Sequence, residues 1–325
     1  MAETASAHVP LSARCPWVDA ARVLAIAFVA LAHLYLGGAG PKAYGYISGA
    51  AVGLFFYISG YFAKSTNVRS SLLRTLCLFV CYALWATFDL CLSEHFTGIT
   101  GEMLWHTLWF QGGVYWFLRY LCVASLAAIV YSRLPGIARL ATLVSLFFVG
   151  SCWLASHTIC HPFQVIELSL FAFFCGVSTQ KVSLPRLGEI ILPIGERFMA
   201  YAMVALLALV IFAISASLGR WDIGPQVLLC MLLGWGLLAL CRASSIVLPR
   251  ICATVAAAGP AAVLFYLIHH PIIRVYTSAW IQFTGDFPPV WFDVLFLVSA
   301  LVACTWLTGK LRGKNRITDI IFFAR

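Results

Sequence analysis

Apolar positions run along this chain in long unbroken stretches, not in the alternation of a half-buried strand or the one-sided stripe of a soluble helix. Ten such stretches are read, over 23–40, 47–63, 75–93, 112–131, 140–156, 163–179, 198–218, 225–241, 254–277 and 291–309. Each is about 17 to 24 residues, enough to cross ~30 Å of hydrocarbon as a helix. Backbone groups in lipid must pair within their own segment, and these lengths fit helices better than the short alternating strands of a barrel. The pattern predicts an all-α polytopic membrane protein, a bundle of about ten transmembrane helices. The longest non-apolar link, 180–197, carries Pro185 and Pro193 and reads as a loop.

Composition excludes a soluble domain: 62% of the 325 residues are hydrophobic, 10% are charged, and the mean hydropathy is +0.94. The net charge of +9 is explained by orientation and requires no nucleic acid. With the N-terminus inside, 17 of the 21 Lys and Arg fall at cytoplasmic ends and loops, leaving Lys42, Arg119, Arg220 and Arg274 on the other half. That asymmetry puts both termini in the cytoplasm. Trp105, Trp109, Trp116, Trp153, Trp221, Trp280 and Trp291 lie near the outer boundary, as an interfacial belt does.

Residues 1–16 lack the basic start and short apolar core of a cleavable signal and read as a flexible cytoplasmic arm. Residues 17–310 then form one transmembrane domain, and 311–325 a basic cytoplasmic tail. The twelve cysteines show neither a CxxC nor zinc-like Cys/His spacing, so no metal site is expected. Cys152 and Cys160 flank an outer loop and can pair if that side is oxidising.

Candidate chemistry comes from the few ionisable groups at membrane depth, where charge is expensive and usually faces a cavity or partner. Arg22 and His33 stand eleven residues apart, which on a helix places them on one stripe ~16 Å apart along the axis. His33 suits a general base; its alternative is a histidine bonded between helices. Arg22 suits a phosphate-bearing ligand, or is a snorkelling anchor, and Asp19 can pair with it one turn earlier. Arg69 and Arg74 are placed in the next cytoplasmic loop, where orientation alone already demands basic residues; Arg74 is the better candidate for binding. Ser59 beside Gly60 marks a close helix approach with a hydroxyl to spare. Glu167, one turn from Gln164, is a polar pair in the sixth stretch that contacts a substrate hydroxyl or bridges helices. On the outer half, Arg119 and Arg274 join His269, which precedes Pro271 by two residues and is an acceptor-site or oxyanion residue or else a satisfied core histidine. His270, about 100° around the helix from His269, is weighted below it.

Four segments, in order, resemble the membrane-bound acyltransferase family 3 proteins. They are Trp17 to Arg22 followed by His33, Leu54 to Tyr61, Tyr115 to Leu118, and Tyr266 to Pro271. Where the family often has a basic pair spaced RxxR, Arg69 and Arg74 here stand five apart. The resemblance implies transfer of an acyl group, acetyl above all, from cytoplasmic acyl-CoA to a hydroxyl of a carbohydrate or lipid-linked glycan in the bacterial inner membrane. Acyl-CoA is then a co-substrate and no permanently bound cofactor is implied. In that reading His33 is catalytic, by direct deprotonation or through an acyl-histidine. Arg22, Arg74, Arg119, His269, Glu167 and Arg274 bind substrates, while Asp19, Ser59 and Trp116 support them. The rival is a transporter or exporter of a small anion or glycan, since intramembrane Arg, His and Glu also line translocation paths. Paired halves with interrupted helices would favour it, and no such halving is seen.

Overall fold

The computed structural model describes residues 15–36, 43–63, 67–94, 97–111, 115–155, 161–191, 223–311 and 314, and every described element is helical. In order these are α1 Pro16–Leu36, α2 Ala43–Tyr61, α3 Val68–Ser93, α4 Gly101–His106 running into a π-helical turn Thr107–Gln111, and α5 Trp116–Tyr131. Then follow α6 Gly136–Ala155, α7 His161–Ser178 with a 3-10 turn Thr179–Lys181, α8 Leu184–Ile191, α9 Ile223–Val247, α10 Pro249–Ala257, a 3-10 turn Gly259–Ala261, α11 Ala262–Thr284 and α12 Val290–Leu311. Four described stretches are long and apolar enough to cross a membrane: Pro16–Leu34, Val68–Ser93, Pro249–Thr284 and Trp291–Leu311. Apolar exposure supports that setting. Leu72, Leu76, Leu84 and Phe88 on α3, and Trp291, Leu295, Val298, Val302 and Trp306 on α12, line one side of each helix and are exposed. Contiguous apolar faces of this kind belong in lipid.

Nine of the ten predicted stretches fall on helices, and the seventh, 198–218, lies outside the described residues, as does Cys160 of the candidate disulfide. Three expectations are corrected. The third helix begins at Val68, because Asn67 caps it by accepting from the Ser70 amide at 3.0 Å, so Arg69 lies in its first turn, not in a loop, and Arg74 lies in the helix, past its start. The link 180–197 contains α8, with Pro185 in its first turn, where a missing N–H costs nothing. The ninth stretch is two helices, broken at Gly259-Pro260-Ala261, where the Ala261 amide bonds the Ala258 carbonyl at 2.9 Å.

Small residues set how closely the helices approach. α1 is surrounded by α2, α9, α10 and α11, and its Ala20, Ala21, Ala25, Ala30 and Ala32 are almost wholly buried. α2 and α7 meet at two glycines: a Cβ on Gly60 would run into the Phe173 carbonyl, and one on Gly176 into that of Tyr57. The adjoining turn is tied down by polar bonds. Gln180 Nε2 donates to the Gly60 and Ala63 carbonyls at 2.8 and 2.6 Å, and the Tyr61 hydroxyl to the Val182 carbonyl at 2.6 Å.

Candidate active site

Three helices bring four titratable side chains together. α1 supplies His33 from its last turn, α11 supplies His269 and His270, and α3 supplies Asp89. The His33 ring centre lies 5.3 Å from that of His269 and 6.1 Å from that of His270. His270 Nδ1 stands 2.9 Å from Asp89 Oδ1, and an Arg274 guanidinium nitrogen approaches the same oxygen at 3.9 Å. His33 and His270 are partly exposed, whereas His269 is 1% exposed.

Hydrogen-bond chemistry fixes which nitrogens are open. A backbone carbonyl can only accept, so His269 Nδ1, bonded to the Tyr266 carbonyl, carries the hydrogen. In the neutral ring its Nε2 is an acceptor, and it is buried without a partner among the described residues. In that form His269 offers a lone pair, which suits receiving a hydroxyl hydrogen and not stabilising an oxyanion. The same logic applied to the Asp89 carboxylate assigns a hydrogen of His270 to Nδ1, so that in the neutral ring Nε2 is the acceptor.

Pro271 explains how α11 is held here. It lacks the amide that would bond the carbonyl of residue 267, four positions back, yet the helix continues through it. The hydroxyl of Tyr115, at the start of α5, donates to that Leu267 carbonyl at 2.7 Å. The freed acceptor is satisfied from a neighbouring helix, as it must be where water is absent.

A second group of residues forms near the other end of α1. Arg22 pairs with Asp19 at 3.3 Å and lies over the Phe62 ring at 5.0 Å, while Arg74 donates to the Phe62 carbonyl at 3.4 Å. Asp19 in turn rests on Gly259, where an added Cβ would come within 2.8 Å of the aspartate Cβ. Beside Arg74 lies a small cavity of about 20 Å³, lined in part by Ser59, Ser71, Ser125 and Phe173. It has room for about one water. Neither Arg22 nor His33 lines it.

Arg119 and Trp116 make their contacts outside both groups. Arg119 donates to the Trp109 carbonyl at 2.8 Å and the Tyr120 hydroxyl at 3.0 Å, which ties the π-helical turn to α5. Trp116 packs along its own helix, its ring 5.7 Å from that of Tyr120. Glu167 belongs to α7, and its side chain lies outside what is described. The expected convergence of Arg119 with Arg274 and His269 is therefore not what the contacts show: Arg274 turns to Asp89 and Arg119 to Trp109.

A family model described as an acyltransferase domain matches residues 16–309. The chain belongs to this acyltransferase family. No curated protein and no solved structure matches the chain. In this acyltransferase the segments that carried the resemblance fall at structurally telling points. The first holds Asp19, Arg22 and His33, the third begins with Tyr115, and the last contains both histidines and Pro271. Two members of the cluster were passed over by sequence reasoning. Asp89 is the lone charged residue in the third apolar stretch, the same signal that singled out His33, and it carried the answer. His270 was set aside because it points away from His269, but that turn of the helix is what directs it to Asp89.

Proposed function

We propose that this membrane acyltransferase moves an acyl group, with acetyl as the first assignment, from cytoplasmic acyl-CoA to a hydroxyl of a cell-envelope carbohydrate. The setting is the bacterial inner membrane, with ten spans and both termini in the cytoplasm. The observation that carries the reading is the histidine cluster, built on three helices of an acyltransferase domain and containing a buried ring nitrogen, His269 Nε2, without a partner among the described residues. Acyl transfer from a thioester needs a group to take the hydroxyl proton, and His33 stands where two further imidazoles surround it. At the other end, Arg22 and Arg74 converge on Phe62, and paired guanidiniums suit the phosphates of a nucleotide thioester. Positive charge concentrated on that side supports its being cytoplasmic. The ~16 Å between Arg22 and His33 on one helix suits a donor whose charged end and reacting end are far apart. Incubation of membranes containing the full chain with radiolabelled acetyl-CoA tests this. Label should enter the envelope glycan fraction as free thiol appears, and His33→Ala should slow both by about 10²- to 10⁴-fold. Wild-type rates in that variant would remove His33 from the mechanism.

A further inference from the structure

Acyl transfer forms a C–O bond, breaks a C–S bond, and moves one proton from the hydroxyl to the departing sulfur. Something must hold that proton between the two events. His33 is the imidazole expected to take it, yet it is not the one with a carboxylate behind it. That histidine is His270, whose Nδ1 is 2.9 Å from Asp89 Oδ1. Its other nitrogen, Nε2, belongs to a ring whose centre is 6.1 Å from that of His33, inclined at 70°, a gap that one hydrogen bond or one bridging water spans. Arg274, 3.9 Å from the same carboxylate oxygen, shares the Asp89 charge, so the aspartate is not left with His270 as its sole counter-charge. The groups facing His270 are thus Asp89 from α3, His33 from α1 and, on α11 itself, His269 and Arg274.

We infer that Asp89 and His270 form a carboxylate–imidazole dyad that completes the proton path, an inference that rests on the acyl-transfer reading of this site. Asp89 is a positioning residue that keeps the hydrogen on Nδ1, and His270 receives at Nε2 the proton that His33 passes on. One nitrogen of His33 takes the hydroxyl proton as the oxygen attacks the thioester carbon, and the hydrogen on its other nitrogen moves to His270. Asp89 balances the resulting imidazolium without itself being protonated. When the tetrahedral intermediate collapses, the C–S bond breaks and the proton returns through the same two rings to the thiolate. Ester and free thiol are the products, and no further reactant is required.

The test uses the full chain in native membranes with acetyl-CoA as donor, and follows label transfer, thiol release, protein amount and thermal midpoint. Asp89→Asn keeps the shape but favours the other tautomer of His270. Its kcat should fall about 10²- to 10⁴-fold with the KM for acetyl-CoA within about twofold, and Asp89→Glu should regain part of the loss. His270→Gln should fall by a similar factor. If Asp89→Asn and His270→Gln both stay within about threefold of wild type while His33→Ala is inactive, the dyad is overturned and acyl transfer stands. A loss in Asp89→Asn that follows a lowered thermal midpoint and is not regained by glutamate assigns Asp89 to packing and also overturns it. Wild-type membranes that move no label and release no thiol overturn both readings.

Discussion

The Tyr115 hydroxyl donates to the Leu267 carbonyl at 2.7 Å, joining α5 to α11 at the peptide group that Pro271 leaves without its helical partner. This single bond sits two and three residues before the two histidines of α11, so it holds the segment that aims them. Tyr115→Phe removes the donor and leaves a buried carbonyl unpaired, at a cost of about 1 to 3 kcal/mol. Measured interhelical bonds in membranes run lower, about 0.6 kcal/mol on average, which places the expected loss toward the low end. The thermal midpoint in detergent should drop, and the transfer rate should drop with it as α11 relaxes. Unchanged rate and midpoint would mean that the Leu267 carbonyl finds another donor.

Helices α2 and α7 approach through Gly60 and Gly176, each of which faces a backbone carbonyl of the other helix. Backbone cannot step aside as a side-chain tip can. Gly60→Ala or Gly176→Ala therefore forces the helices apart and should cost about 1 to 3 kcal/mol, the range for overfilled cores. Gly53 and Gly236 meet nothing near their Cβ positions and serve as controls. Thermal unfolding of the four alanine variants should separate the two pairs, and equal midpoints would show that the α2–α7 contact is not tight.

Much of the fold was legible because lipid imposes one rule, an apolar run of fixed length, and that rule survives without any knowledge of neighbours. Helix ends were less legible: the Asn67 cap and the break at Gly259-Pro260 act inside or beside stretches whose hydropathy stays high. At the site, His33, Arg22 and Asp19 could be read because they share one helix, where spacing alone gives geometry. The pairing of Asp89 with His270 joins residues 181 apart in sequence, and periodicity carries no information about which helices will be neighbours. Arg119 illustrates the converse. A charge at membrane depth was read as functional, and its bonds to Trp109 and Tyr120 show a structural use for it.

Arg22 lies over the Phe62 ring while pairing with Asp19, an arrangement that fixes where the guanidinium sits. If it grips the phosphates of acyl-CoA, Arg22→Ala should raise the KM for acetyl-CoA about tenfold while kcat changes little, the signature of lost ground-state binding. Arg22→Lys keeps the charge but neither the stacking nor the bidentate fork, so it should recover only part of the affinity. Initial rates over a range of acetyl-CoA concentrations decide the matter. A fall in kcat at constant KM would place Arg22 in the chemical step instead.

Contacts between helix ends make a prediction about sidedness. Asp19 touches Gly259, Arg22 and Arg74 both meet Phe62, and Gln180 bonds Ala63, so the start of α1, the end of α2, the start of α3, the end of α7 and the 259–261 turn share one face. From that turn α11 runs 23 residues to Thr284, about 34 Å, which carries Asp286 to the opposite face. Ser183, next to the Val182 carbonyl that Tyr61 holds, stays on the first. Because Arg69, Arg74 and Lys181 lie on the elements that meet there, charge asymmetry predicts that this face is the cytoplasmic one. A membrane-impermeant maleimide should then label Asp286→Cys in intact spheroplasts and Ser183→Cys only after the membrane is opened. Both variants are made in a chain whose native cysteines are replaced by serine, Cys152 and Cys160 above all, so that the label reports the new thiol alone. Labelling of both variants from outside would contradict the parity of ten spans and, with it, a cytoplasmic supply of acyl-CoA to Arg22.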